Sequence, residues 1–253
     1  MSPVQVTCAV RPLEGEPPRW SGPLLHGAVL GLLREADPAA SEAAHEREPR
    51  PLTVSGLYRE GGRLLFRCSG LAEPVSSALE SALSPGMRLP LGPAVLAVEE
   101  VAVRRAGYRE LYERFVPQEE GVFRRVGLRF LCPTTFRVGK ANMPFPLPRL
   151  LWRSWAARWN AFSGVGVGSF EVWAEEFVVP SRFRLRSVAA RSGEATLVGA
   201  LGECEYVILR PRSLEARVAA MLASYAPYCG SGQKTAMGLG TTELLSLWTG
   251  RST

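Results

Sequence analysis

The chain has 253 residues, of which 46% are hydrophobic and 21% are charged, a composition typical of one large globular domain or two smaller ones. No run of 18 apolar residues is present, and the N-terminal MSPVQVTCAV lacks the features of a signal peptide. We therefore expect a soluble, cytoplasmic protein with no membrane segment. The five cysteines form no CxxC pair, which argues against a zinc site or a disulfide framework and favours buried thiols.

The formal net charge is +6, and only Lys140 and Lys234 among the 30 basic residues are lysines. Arginine presents a planar set of donors that suits phosphates and stacks on bases, so an arginine-rich basic chain favours a nucleic-acid partner. A genome-wide preference for arginine codons explains the ratio of arginine to lysine equally well. It does not explain the net charge.

The first elements in chain order are a strand and a helix. Val4–Val10 alternates and is rich in β-branched residues, which predicts a strand. A helix is expected from an N-cap at Ser21, with Pro23 in its first turn, through about Ala36. The stretch Asp37–Pro49, rich in Ala, Glu and Pro, indicates a solvated connection.

The next segments complete a recognisable order of elements. Leu52–Tyr58 and Arg63–Cys68 are strand-like, and Arg59–Gly62 between them indicates a hairpin. A short helix over Glu73–Leu83 and a strand over Ala94–Arg104 follow. The order is β-α-β-β-α-β, the ferredoxin-like pattern that also underlies RNA-recognition (RRM) domains.

The same order recurs in the second half of the chain. The expected elements are a strand Arg124–Leu131, a helix Pro148–Phe162, two long strands from Glu171–Val179 with Phe183–Val188 and from Ala195–Glu205, a helix Ser213–Tyr225 and a strand Thr241–Trp248. Charges and Pro117 interrupt the pattern near residues 106–122. The predicted architecture is therefore an α+β protein of two tandem ferredoxin-like domains, residues 1–115 and 116–253.

The helix predicted over residues 149–162 interleaves three arginines with three tryptophans. Helical spacing assigns its core face to Leu151, Trp155, Ala156, Trp159 and Phe162. Arg149 and Arg153 lie four residues apart on another side. They are equally well interpreted as contacts to a phosphate backbone and as a solvated helix face.

Cys229–Thr242, which we call the glycine loop, has the sequence CGSGQKTAMGLGTT. Glycine permits positive φ and close approach, so successive N–H groups would converge on an anion while Lys234 supplies a full charge. The loop is not a Walker motif, because Lys234 does not follow the closing glycine, and it lacks the GxGxxG spacing. By spacing alone, a simple turn explains it as well.

Gly230–Gly240 resembles the GxGxxTxxGxG signature of the CRISPR repeat-processing endoribonucleases, which belong to the RAMP superfamily of tandem ferredoxin-like RNA-binding proteins. The likeness extends over most of the chain. Pro51–Leu57 is similar to the second-strand motif of that family. Cys132–Phe136, Pro146–Pro148 and Arg158–Asn160 are similar to its mid-chain block. Gly56 and Leu239 depart mildly from the family pattern, which more often has proline and phenylalanine there.

The resemblance implies cleavage of precursor CRISPR RNA within each repeat, by attack of a 2′-hydroxyl on the adjacent phosphate, with no metal and no cofactor. Its implied partner is CRISPR repeat RNA, and association with a CRISPR effector complex or as a homodimer is left open. Such chemistry requires an acid, a base and cationic donors around the phosphate.

His26 and His45 are the two histidines of the chain. By itself, His26 among Leu24, Leu25 and Leu30 is typical of a buried structural residue. In the resembling family a histidine on this first helix acts as general acid or base, which makes His26 the expected catalytic residue, in either role. The helix dipole would favour its neutral form. His45 lies in the polar connection and is expected to be exposed.

The remaining expected site residues lie in the glycine loop. The predicted RNA contacts are Gly230, Ser231, Gly232, Gln233, Lys234, Thr235, Gly238 and Gly240, together with Arg149 and Arg153. Lys234 would neutralise a phosphate, and the side chains of Ser231, Gln233 and Thr235 would add hydrogen bonds. Nothing in the sequence selects among Tyr58, Tyr225 and Tyr228 as a supporting group.

Two other functions compete with the endoribonuclease. A non-catalytic RAMP subunit would keep the glycine loop and bind RNA without cutting it. A nucleotide-binding metabolic enzyme would bind ATP or a dinucleotide. His26 separates the first of these from the enzyme, because a subunit that only binds RNA needs no histidine on the first helix.

Overall fold

The structure is a computed structural model that describes residues 2–46, 48–192 and 195–249. Its first half contains ten elements. These are β1 (Val4–Glu14), α1 (Gly22–Ala36), α2 (Pro38–Glu46), β2 (Leu52–Val54), β3 (Tyr58–Glu60), β4 (Arg63–Gly70), α3 (Val75–Ala82), β5 (Arg88–Leu91), β6 (Ala94–Arg105) and α4 (Tyr108–Phe115).

The first sheet is antiparallel, has the order β2-β4-β1-β6-β5, and carries β3 on the outer side of β4. Alternate residues of β1, such as Val6 and Cys8, belong to the core beneath α1 and α3. Gln5 and Thr7, which lie between them in β1, face the other way, because successive side chains of a strand point to opposite faces. One face of this sheet therefore packs against α1 and α3, and the other face is turned toward the second half of the chain.

The second half contains nine further elements and one short 3₁₀ turn. They are β7 (Phe123–Thr134), β8 (Phe136–Val138), β9 (Ala141–Met143), α5 (Pro148–Phe162), α6 (Glu171–Phe177), β10 (Val178–Ser192), β11 (Ala195–Ile208), α7 (Leu214–Cys229), the 3₁₀ turn (Thr235–Met237) and β12 (Thr242–Thr249). The second sheet has the order β10-β11-β7-β12, and β8 and β9 form a separate hairpin.

The predicted α+β fold of two ferredoxin-like units is confirmed. In each half the first strand lies between the third and the fourth, and the second strand lies outside the third. The strand predicted over residues 52–58 is divided into β2 and β3, which both pair with β4. The division into residues 1–115 and 116–253 stays a prediction; α4 packs its Tyr108 and Phe115 into the core of the second half.

Two predicted segments are wrong. Asp37–Pro49 is mostly helical rather than a solvated connection, because Ala40 and Ala44 are fully buried on one face of α2. The first part of the strand predicted over Glu171–Val179 is α6, in which Ala174 is buried. Its apolar residues recur at helical spacing, and Trp173 contacts the rings on either side of it in sequence.

The apolar face of α5 is confirmed in full, since Leu151, Trp155, Ala156, Trp159 and Phe162 are all buried. Trp152 is buried as well, because its indole ring packs against Tyr206 and its N–H donates to the carbonyl of Ala219 at 3.2 Å. The tryptophans of α5 therefore form the core of the second half.

The two halves meet at the C-terminal end of α7. The side-chain amide of Gln5 donates to the carbonyl of Pro227 at 2.6 Å, and the hydroxyl of Thr53 donates to the carbonyl of Tyr228 at 3.1 Å. Both contacts come from strands of the first sheet. They hold the start of the glycine loop against β1 and β2.

All five cysteines are buried and unbonded, as expected for small apolar side chains. Within residues 2–46, 48–192 and 195–249, none of the helices combines the length and the apolar character needed to cross a bilayer.

The burial of one face of α2 is testable with a matched pair of substitutions. Ala40→Glu places a charge in a fully buried position, whereas Ala39→Glu places it on the exposed face of the same helix. We expect Ala40→Glu to lower the free energy of unfolding by about 3–5 kcal/mol in urea denaturation, because the buried charge has no partner. Ala39→Glu is expected to change it by about 0.5 kcal/mol or less. Equal stabilities would contradict the packing of α2.

Candidate active site

His26 lies on the second turn of α1 and faces a cavity of about 530 Å³ that we call the His26 cavity. Its side chain is 7% exposed, and its Nδ1 atom is buried without a hydrogen-bond partner. The wall of the cavity comes from both halves of the chain and consists of His26, His45, Glu48, Pro49, Arg50, Arg158, Lys234, Thr235, Ala236 and Met237. The structure thus brings His26 and the glycine loop together.

The approach of α1 to the glycine loop depends on two glycines. A Cβ atom on Gly22 would overlap the carbonyl oxygen of Met237 and lie 2.7 Å from Cα of Gly238. Gly238 itself has φ of 90°, a conformation that side chains rarely adopt. Any larger residue at either position would push the His26 helix away from the loop.

The first sheet holds both Gly238 of the loop and Ser21 at the start of α1 in place. The N–H of Gly238 donates to the carbonyl of Val54 at 2.9 Å, and Gly238 forms a parallel bridge with Ser55. Ser21 is the N-cap residue of α1 as predicted, but its hydroxyl accepts from the N–H of Leu57 at 2.7 Å rather than from the helix. Loop, helix and first sheet are therefore joined at one place.

Most N–H groups of the glycine loop already have partners inside the protein. Those of Ser231, Gln233 and Gly240 donate to the carbonyls of Gly240, Thr135 and Pro133, at 2.8 to 3.0 Å. The N–H of Gly230 donates to the last turn of α7, and that of Gly232 donates to the hydroxyl of Ser154 at 3.2 Å. The expectation that successive N–H groups converge on an anion is wrong at these positions, because the protein uses the donors itself.

Ser231 stabilises the loop from within. It is fully buried, and its hydroxyl accepts from the indole N–H of Trp155 at 3.0 Å and contacts the hydroxyl of Thr242 at 2.7 Å. A hydroxyl enclosed in this way has no surface with which to contact RNA. The contact predicted for Ser231 is therefore replaced by a structural role.

Three other loop side chains lie at or near the cavity. Lys234 is exposed and has a left-handed backbone with φ of 54°. Thr235 is 7% exposed, and the side-chain amide of Gln233 donates to Asn142 at 2.8 Å. Lys234 and Thr235 line the cavity itself, so these are the loop positions from which a ligand would be contacted.

Arg158 was not among the predicted site residues, although it belongs to the mid-chain block of the resemblance. Its Nη2 donates to the carbonyl of Gly232 at 2.8 Å and to the hydroxyl of Thr235 at 3.1 Å, and Nη1 donates to the carbonyl of Ser154. It joins α5 to the glycine loop and lines the His26 cavity. Only its position among buried tryptophans hinted at this role.

Arg149 and Arg153 lie elsewhere on α5. Arg149 forms an ion pair with Glu175 at 2.9 Å, and Arg153 donates to the carbonyl of Arg137 at 3.1 Å. Both are exposed, and neither lines the His26 cavity. Their contact with RNA stays a prediction for a surface outside the cavity.

His45 is exposed, as predicted, yet α2 places it in the wall of the cavity. None of the three candidate tyrosines reaches this wall. The hydroxyl of Tyr225 instead contacts that of Tyr108 at 3.1 Å. The groups around His26 are therefore mostly cationic rather than phenolic.

The surroundings of His26 keep its imidazole neutral. Burial, followed by the charges of Arg50 and His45, lowers its pKa from the ordinary 6.5 to about 4, while a hydrogen bond with the backbone of Ala236 opposes the shift. The neutral form was expected from the helix dipole, but desolvation and the neighbouring cations account for it. At neutral pH the side chain is able to accept a proton.

In the described residues, no group of three or more His, Cys, Asp or Glu side chains is arranged to hold a metal ion. The ionisable side chains of the cavity wall are two histidines, the carboxylate of Glu48 and the three cationic groups of Arg50, Arg158 and Lys234. Such a set is suited to an anionic ligand that gives up a proton.

Comparisons with known proteins point in one direction. Residues 128–242 match the family model of the CRISPR-associated endoribonuclease Cas6. Curated Cas6 endoribonucleases from two Mycobacterium tuberculosis strains, CDC 1551 and H37Rv, are 25% identical over 243 residues, which cover 93% of this chain and 75% of theirs.

Solved structures agree with the sequence comparisons. A Cas6 product complex superposes with a TM-score of 0.79 and 26% identity, covering 97% of this chain and all of the other. A Cas6 substrate mimic complex superposes with a TM-score of 0.76 and 25% identity, covering 96% and 99%. The likeness therefore extends over both halves of the chain.

The contact between α1 and the glycine loop can be tested with two glycine substitutions that both lie in α1. We expect Gly22→Ala to lower the free energy of unfolding by about 1–3 kcal/mol, because the added methyl group overlaps the backbone of Met237. Gly31→Ala is the matched control, since a methyl group there meets nothing within 4 Å. It is expected to raise stability by about 0.5–1 kcal/mol, as alanine does within a helix. The stabilities of both variants are measured by urea denaturation. A Gly22→Ala protein as stable as Gly31→Ala would disprove the close approach of Gly22 to the backbone of Met237 and Gly238.

The lowered pKa of His26 predicts a dependence of stability on pH. Well above pH 6.5 the imidazole is neutral in both the folded and the unfolded chain, so its protonation does not change the free energy of unfolding. As the pH falls from 6.5 to 4, the unfolded chain binds a proton that the folded protein does not, so stability decreases. We expect His26→Gln to lose less stability than the wild type across this window. An NMR titration that places the pKa of His26 at 6 or above would contradict this.

Proposed function

We propose that this chain, a CRISPR repeat-processing protein of the Cas6 and RAMP type by its family match and its structural neighbours, is a metal-independent endoribonuclease. It cleaves precursor CRISPR RNA within the repeats by attack of a 2′-hydroxyl on the adjacent phosphate. The match to the Cas6 endoribonuclease model supports an RNA endonuclease. The chemistry and the residues that perform it are our proposal.

One observation carries the proposal: His26 of the first half and Lys234 of the glycine loop line the same cavity. The cavity also contains Arg158, which fixes the loop, and Arg50, so cationic side chains outnumber the carboxylate of Glu48 around the imidazole. A phosphodiester is the ligand that needs both a proton acceptor and cationic donors.

His26 acts as the general base in the proposed reaction. Its pKa of about 4 leaves it neutral at the pH of the cell, ready to accept the proton of the 2′-hydroxyl. The 2′-oxygen then bonds to phosphorus, and the bond from phosphorus to the 5′-oxygen breaks. The 5′-oxygen takes up a proton from water as it leaves, and His26 afterwards returns its proton to the solvent. The products are a 2′,3′-cyclic phosphate and a 5′-hydroxyl, and the proton count balances without a further co-reactant.

CRISPR repeat RNA is the proposed partner, supported by the Cas6 product and substrate mimic complexes to which the chain is similar. Lys234 would contact a phosphate next to the cut, and Gln233 and Thr235 would position the strand beside it. The glycines Gly230, Gly232, Gly238 and Gly240 shape the loop that presents these side chains. Assembly into an effector complex or a homodimer stays a prediction.

A non-catalytic RAMP subunit that only binds RNA is the second candidate. The burial of His26 favours it, because a histidine that is 7% exposed is also typical of a structural residue. The unpartnered Nδ1 atom argues the other way, since buried structural nitrogens normally have a hydrogen-bond partner.

Cleavage of repeat RNA in the presence of EDTA distinguishes the two functions. We expect the wild type to cut in EDTA and to leave a 2′,3′-cyclic phosphate, and His26→Ala to lower kcat by about 10²–10⁴-fold while the Kd for RNA changes little. His45→Ala is the comparison variant, because it removes the other, exposed histidine.

The outcome is read from single-turnover rates and filter binding at fixed salt. A wild-type protein that binds the repeat but cuts nothing, with or without metal ions, would establish the binding subunit. Cleavage that depends on a divalent ion would disprove the metal-independent mechanism.

A further inference from the structure

We propose that Arg50 is a catalytic residue of the His26 cavity, whose guanidinium donates to a non-bridging oxygen of the scissile phosphate and stabilises the charge that develops there. This proposal rests on the endoribonuclease function proposed above. It adds a group on the first half of the chain, outside the glycine loop, to the residues that contact the RNA.

Arg50 lies at the edge of the first sheet, two residues before β2. The next residue, Pro51, precedes β2, and its carbonyl accepts from the N–H of Leu71 at 2.7 Å. From this position the side chain of Arg50 forms part of the wall of the cavity with His26. The anchored Pro51 therefore limits how far the backbone of Arg50 can move from the wall of the cavity.

The side chain of Arg50 has a buried donor that makes no hydrogen bond and has only an ion pair to Glu48. Its Nε atom is buried and has no hydrogen-bond partner, while the side chain as a whole is 31% exposed. The carboxylate of Glu48 lies 3.4 Å from Nε but is 79% exposed, so water screens this ion pair. A buried donor without a partner is costly, and a phosphate oxygen would satisfy it.

The other arginine of the cavity is committed to holding the loop. Both Nη atoms of Arg158 donate to groups of α5 and the glycine loop. Lys234 presents an exposed ammonium from the loop, on the other side of the junction between the halves. Arg50 combines a cationic charge with a buried N–H that makes no hydrogen bond within the protein.

His26 and Arg50 are close enough to act on one another. After burial, the charge of Arg50 is the largest cause of the lowered pKa of His26. A phosphate placed between them would therefore meet the proton acceptor on one side and the guanidinium on the other. The planar guanidinium is able to contact two oxygens of a phosphate at once, which lysine cannot do.

The proposed role of Arg50 is to stabilise the negative charge that develops on the phosphate during the reaction. As the 2′-oxygen bonds to phosphorus, negative charge accumulates on the non-bridging oxygens before the bond to the 5′-oxygen breaks. A fixed donor at that point is worth more in a desolvated cavity than in water. Loss of one such donor typically lowers kcat by about 10²–10³-fold.

The experiment compares wild type, Arg50→Ala, Arg50→Lys and the control Arg109→Ala on repeat RNA in EDTA. Arg109 is an exposed arginine of α4, paired with Glu113 and remote from the cavity. We expect Arg50→Ala to lower single-turnover kcat by about 100-fold with Kd for RNA within about threefold, and Arg50→Lys to recover part of the loss. Arg109→Ala is expected to remain within about twofold of the wild type.

Two further measurements distinguish a catalytic role of Arg50 from a structural one. Repeat RNA with sulfur in place of one non-bridging oxygen at the cut should slow the wild type for one stereoisomer and leave Arg50→Ala insensitive. Removal of the Arg50 charge should also move the acidic limb of kcat/KM to higher pH, because His26 then faces only His45, Glu48, Lys234 and Arg158. A merely structural arginine would produce neither change.

Arg50→Ala activity within about threefold of wild type, or a weaker Kd with unchanged kcat, would overturn the proposal. If Arg50→Ala fails to fold, as judged by circular dichroism, the same criteria apply to Arg50→Gln. A wild-type protein that does not cut RNA disproves the proposed function. Cutting that depends on His26 but not on Arg50 disproves this inference alone.

Discussion

The contact between the backbones of Gly22 and Gly238 determines where the His26 cavity lies. No side chain fits between them, so the start of α1 rests directly on the glycine loop. His26 follows Gly22 by about one helical turn and is thereby fixed beside Lys234. The helix belongs to the first half and the loop to the second, which makes the cavity a product of how the halves pack rather than of either half alone.

The glycine loop is a structural element first and a ligand site second. Its glycines allow the chain to turn sharply, and its N–H groups are mostly used by carbonyls of the protein. Positive charge is supplied by side chains instead, from Arg158, Lys234 and, across the cavity, Arg50. A loop whose backbone donors are already paired within the protein keeps its shape without a ligand, so the proposed binding of RNA would not have to order it.

Sequence patterns predicted the elements whose apolar periodicity is strong, such as α1, α5 and the long strands. They failed at α2 and α6, where short helices are held by tertiary packing of alanines and aromatic rings that local propensity does not encode. The resemblance to a known family selected His26, because its position among leucines indicated only burial. The places of Arg50 and Arg158 in the cavity wall were not predicted, because the cavity brings together residues that are far apart in sequence, as in the hydrogen bond from Arg158 to Gly232, 74 positions later.

The hydrogen bonds from Gln5 to Pro227 and from Thr53 to Tyr228 have a consequence for how the chain is assembled. Each joins a strand near the N-terminus to the last turn of α7, more than 170 residues later. The first half must therefore fold back onto α7 before these bonds form. Contacts of such long sequence separation also slow folding, because the closure of a large loop precedes the favourable interactions. The His26 cavity, whose wall comes from both halves, therefore requires both halves to be folded.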